Sequence, residues 1–90
     1  MRLSLAPLRG RRARFAARFA GVSKTGHIIL EDLQGPGGRE PYIWVAFREW
    51  HSRIRLPGEE VHFSARIVEY FRDHDNTRDL CLKDLQIEEA

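Results

Sequence analysis

Apolar and polar residues alternate along most of this chain. From Arg12 to Gly21, Ala13, Phe15, Ala17 and Phe19 fall on one side of an extended segment, and Arg12, Arg14 and Arg18 on the other. The same residues fit a helix, with Phe15 and Phe19 four apart and Arg11, Arg14 and Arg18 on another side, so periodicity alone leaves both open. The residues that follow favour the strand. SKTG (Ser23 to Gly26) is a short polar turn, and HIILEDLQ (His27 to Gln34) is rich in β-branched and aliphatic residues, which together read as a hairpin.

GPGGREP (Gly35 to Pro41) reads as a flexible hairpin tip, and YIWVAF (Tyr42 to Phe47) is the densest run of aromatic and β-branched residues in the chain. The period then changes. Phe47, Trp50 and Ile54 are spaced as one apolar stripe, which predicts one or two helical turns ending at Pro57-Gly58. From Glu59 to Phe71 alternation resumes, with Val61, Phe63, Ala65 and Ile67 inward and His62, Ser64, Arg66 and Val68 outward. RDHDNT (Arg72 to Thr77) is a turn, and a last strand brings Leu80 and Leu82 inward, with a register adjustment before Leu85 and Ile87. Residues 1–10, with Pro7 and Gly10, read as an irregular lead-in.

Ninety residues suit one small domain, which buries roughly 60 to 70% of the surface its unfolded chain exposes, so the expectation is a single domain over 1–90. The apolar runs are too short to span a bilayer. Cys81 is the only cysteine and allows no intrachain disulfide, in keeping with a cytoplasmic setting.

Charge changes the picture more. The first thirty residues hold seven basic side chains and no acid, whereas the remainder hold eight basic against thirteen acidic ones. Either the two parts neutralise each other in the folded chain or across a dimer, or the basic part meets a polyanion. An Arg-rich, acid-poor start also fits a targeting peptide, but its removal would take a strand from the sheet, so it reads as part of the fold.

The order of strand, strand, strand, short helix, strand, strand resembles the OB-fold. LPGEEVHFSARIVEY is similar to the OB pattern in which a glycine-ended loop leads into a long V-x-F-x-A-x-I strand, and HIILEDLQ and DLCLKDLQ resemble its second and fifth strands. The resemblance covers about residues 12 to 88 and implies an all-β, five-stranded Greek-key barrel with a short helix between strands three and four. It further implies binding of single-stranded nucleic acid or of protein across strands two and three.

Single-strand binding needs cations for phosphates and flat side chains for bases. Candidates are Arg12, Arg14 and Arg18 on strand one, Lys24 in the first turn, Tyr42 and Trp44 on strand three, and Arg66, with Tyr70 beside it, on strand four. This assignment places Ile43, Val45 and Phe47 in the core; a one-residue shift of register would exchange the faces and make the aromatics core residues. No catalytic group presents itself, since Glu59-Glu60 and Glu88-Glu89 point to opposite faces of a strand and no serine or cysteine has an identifiable base. The histidines, His27, His51, His62 and His74, have no ligand spacing. Asp73, Asp75, Thr77, Asp79 and Asp84 imitate a calcium loop, but Arg78 stands where glycine is required, so a solvated turn is expected. The expectation is a non-enzymatic module without metal or cofactor. It binds single-stranded DNA or RNA weakly and with little sequence preference; the alternative is a protein-interaction module or homodimeric accessory subunit that uses the basic first strand against an acidic partner.

Overall fold

The computed structural model describes residues 4–72 and 77–88. They form five strands, β1 (Arg12–Val22), β2 (His27–Gly35), β3 (Gly38–Ala46), β4 (Glu60–Arg72) and β5 (Thr77–Ile87), and two single 3-10 turns at Ala6–Leu8 and Phe47–Glu49. All pairings are antiparallel, in the order β3-β2-β1-β4-β5. The sheet curls into a half-barrel, an architecture compatible with an OB-like fold.

The alternation along β1 and β4 sets the core. Phe15, Ala17 and Phe19 of β1 are buried with Val61, Phe63, Ala65 and Ile67 of β4, and Phe15 stacks on its cross-strand partner Phe63 with ring centroids 5.7 Å apart. Two register shifts in the β1–β2 pairing, between Ala16 and Arg18 and between Phe19 and Gly21, bend the strand that lies mid-sheet and so promote the curl. On β5 the anticipated register adjustment is present: the shift against β4 lies between Ser64 and Arg66, and Asp84 takes a φ of +52°. Leu80, Leu82 and Leu85 all reach the core as a result.

The helix expected after strand three is absent. Residues 47–49 make one 3-10 turn, and His51 with a φ of +48° takes a left-handed conformation that a right-handed helix cannot continue through. Of the expected apolar stripe only Trp50 is buried, against Phe19 and with its indole N–H donating to the Arg53 carbonyl at 2.8 Å. Phe47, expected in the core, is 51% exposed, and Ile54 is exposed as well.

The glycine-rich tip is tighter than a flexible loop. Gly35 pairs directly with Gly38, leaving only Pro36 and Gly37 between β2 and β3. A Cβ at Gly37 would collide with the Ser4 carbonyl, because the lead-in runs across the tip and Ser4 donates to Glu40 at 2.7 Å. The lead-in is thereby part of the core, with Leu5 buried among the strand residues. The turn at 73–76, including Asp73, His74 and Asp75, lies outside the described residues.

Candidate functional site

The side chains of Arg12, Arg14 and Arg18 project from the outer face of β1, as the alternation predicts, and each meets an acid of the chain. Arg12 donates to Ser64 Oγ at 2.8 Å, to the Asp84 carbonyl at 2.8 Å and to the Asp84 carboxylate at 2.6 Å. Arg14 pairs with Glu88, and Arg18 reaches Asp32 at 3.5 Å, whose other oxygen is held by Arg39 at 3.0 Å. Much of the basic excess of the early residues is thus met by carboxylates inside the chain. Lys24 and Arg66 are exposed and have no ion-pair partner among the described residues.

Tyr42 and Trp44 lie on the outward register of β3, at 57% and 47% exposure, while Ile43 and Val45 on the alternate register are buried. They do not join the β1 arginines in one cluster. The row through Tyr42 passes Glu31 before it reaches Arg18, so an acid intervenes. Arg66 instead stands in a row between Arg12 and Lys83.

What the two aromatics border is the place where the curled sheet fails to close. β3 and β5 are its end strands and approach to within 8 Å between Cα atoms without pairing. Between them is a cleft of about 520 Å³, within the roughly 300–1,000 Å³ common for small-ligand sites. Buried Ile43, Leu80 and Leu82 form its floor, and Tyr42, Trp44, Tyr70 and Cys81 line it. The His27 ring lies 5.7 Å from that of Trp44, with its Nδ1 3.1 Å from Thr25 Oγ1.

Two cations, Arg48 and Lys83, complete the lining. Arg48 faces Glu49 at 3.6 Å. Glu49 is itself engaged by the Asp84 N–H at 2.7 Å, which clasps the 3-10 turn to β5. That N–H holds the Glu49 carboxyl below the ordinary glutamate range against the opposing effect of burial, with Lys83 and Arg48 assisting. Burial pushes the Cys81 thiol up, opposed in part by Lys83.

His27, Arg48, Cys81 and Lys83 are not among the binding residues expected from the sequence. Their signal was topological: a five-stranded curl puts strands three and five at the ends of the sheet, so the outward residues of those strands meet across the opening. Among the described residues no three histidine, cysteine or acidic side chains form a group able to hold a metal ion, and no helix is long and apolar enough to cross a membrane. Comparison of the chain with protein-family models, curated proteins and solved structures yields no match, which leaves its own geometry as the ground for a functional reading.

Proposed function

We propose that this chain is an OB-like module that binds single-stranded nucleic acid, without strong sequence preference, at the β3–β5 cleft. One observation carries the reading: exposed Trp44, with Tyr42 and Tyr70, stands over an apolar floor beside Arg48 and Lys83. A base laid on an aromatic face contributes about 1–3 kcal/mol whatever its identity, and cations nearby attract the connecting phosphates. Arg66, paired in register with Lys83, extends the cationic track away from the cleft onto the outer face.

This moves the centre of the site away from β1. A phosphate approaching Arg12, Arg14 or Arg18 must displace Asp84, Glu88 or Asp32. The same pairing weighs against the rival reading, an acidic protein partner on β1, since that partner would compete with the same carboxylates.

A titration with a short oligothymidylate at low salt, read by tryptophan fluorescence, tests the proposal. Quenching is expected from Trp44 and should vanish in Trp44→Ala, while buried Trp50 contributes little. Absence of binding at low salt would overturn it.

A further inference from the structure

The opening between β3 and β5 has a width that restricts what can enter it. Paired strands lie about 4.8 Å apart, and a strand inserted between two others needs them about twice that distance apart. At their nearest, β3 and β5 come within 8 Å without pairing. That is tight for an added peptide strand, yet the adjoining cleft of about 520 Å³ has room for a flat ring.

The chemistry of the opening suits such a ring on both of its surfaces. Its faces would meet Trp44 and Tyr70 and the apolar floor of Ile43, Leu80 and Leu82. Its rim would meet main chain, because β3 and β5 each have a sheet neighbour on one side only. A strand edge offers alternating N–H donors and C=O acceptors, the complement of the hydrogen-bonding edge of a nucleobase. Arg48 and Lys83 are placed for the phosphates that flank it.

We infer that the cleft at the seam receives one unstacked nucleobase, with its face on Trp44 of β3 and its hydrogen-bonding edge on the main chain of β5. This rests on the single-strand reading above and goes beyond it. Stacking on Trp44 alone engages one strand and only a base's face, whereas insertion engages both strands and requires an edge free of Watson–Crick pairing. The site therefore rejects duplex because a paired base cannot present that edge. Main-chain donors and acceptors can serve more than one base, in keeping with weak sequence preference.

Cys81 supplies the test, since it lines the cleft from the β5 side and is the only cysteine in the chain. Its alkylation by iodoacetamide is followed with and without saturating short oligothymidylate, alongside amide hydrogen exchange. Insertion slows alkylation by about ten-fold or more once the site is at least about nine-tenths occupied, and slows exchange at residues 42–46 and 80–83 together. A blunt duplex of similar length leaves both unchanged. A Cys81→Phe variant, its fold checked by circular dichroism, fills the seam and weakens binding by a similar factor. If the oligonucleotide quenches Trp44 but alkylation and β5 exchange do not change, or if Cys81→Phe binds as the parent does, the insertion is overturned while single-strand binding stands. If a duplex protects Cys81 equally, the edge-reading is overturned. If no oligonucleotide binds at low salt, both fall.

Discussion

The outer face of β1 and the seam between β3 and β5 are both cationic, yet they differ in what surrounds the cations. β1 lies mid-sheet with a neighbour on each side, so its arginines reach acids from either direction: Asp32 of β2 for Arg18, and Asp84 and Glu88, from the last strand and just beyond it, for Arg12 and Arg14. The seam strands have a neighbour on one side only, and their outward side chains look across an opening. Trp44 and Tyr42 stay exposed there, and Lys83 has no ion-pair partner among the described residues. The number of arginines in a stretch therefore says less about where an anion binds than the position of that stretch in the sheet.

The sharpest way to break the comparison is to remove the flat surface. Trp44→Ala should weaken oligothymidylate binding by about ten-fold or more, the equivalent of one stacked base. Its thermal stability should fall far less than that of Trp50→Ala, where loss of a fully buried tryptophan costs roughly 3–5 kcal/mol. A Trp44→Ala protein that binds like the parent would make the seam an ordinary surface.

A smaller effect separates the two sets of cations. Lys83→Ala should reduce affinity several-fold and lower the slope of log affinity against log salt by about 0.7, the contribution of one single-strand phosphate contact. Arg14→Ala should leave that slope unchanged, because its guanidinium already holds Glu88, and should alter stability by less than about 1 kcal/mol, as exposed ion pairs do. A larger loss of slope in Arg14→Ala than in Lys83→Ala would restore β1 as the binding face.

These two regions were unequally legible in the sequence. The inward and outward faces of β1 and β4 could be read because alternation is a local property, whereas Tyr42 to Phe47 is apolar on both faces, and only the burial of Ile43 and Val45 puts Tyr42 and Trp44 outside. Phe47 was misread because the alternation of β3 ends at Ala46, where the chain enters the 3-10 turn. The missing helix follows from the left-handed His51 and from the capture of Glu49 by the Asp84 N–H, a contact between residues 35 positions apart. The pairing of Arg14 with Glu88 spans 74 positions, and the meeting of Trp44 with Leu82 and Lys83 depends on which strands end the sheet. No local pattern encodes either.

The smallest effect concerns the clasp that borders the seam. Glu49 and Glu59 both have carboxyls held below the ordinary glutamate range chiefly by a main-chain N–H, that of Asp84 for Glu49 and that of Leu56 for Glu59. A carboxyl lowered in the folded state adds stability that is fully present above the ordinary glutamate range and is lost as pH falls through the lowered value. Both groups should therefore contribute to acid destabilisation. Glu49→Gln and Glu59→Gln should each lose less thermal stability on acidification than the parent, measured as the change in melting temperature between neutral and acidic buffer. Only Glu49 stands beside Arg48 and acts on Lys83, whereas Glu59 pairs with Arg53 in the loop before β4. At neutral pH, Glu49→Gln should then raise oligothymidylate affinity about two- to three-fold by removing one opposing charge from the seam, in the range of ion pairs near a protein surface. Glu59→Gln should leave it unchanged. Equal affinities in the two variants would mean that charge at the seam does not govern binding, and that the cleft, if it holds a base, holds it by stacking and main-chain contacts alone.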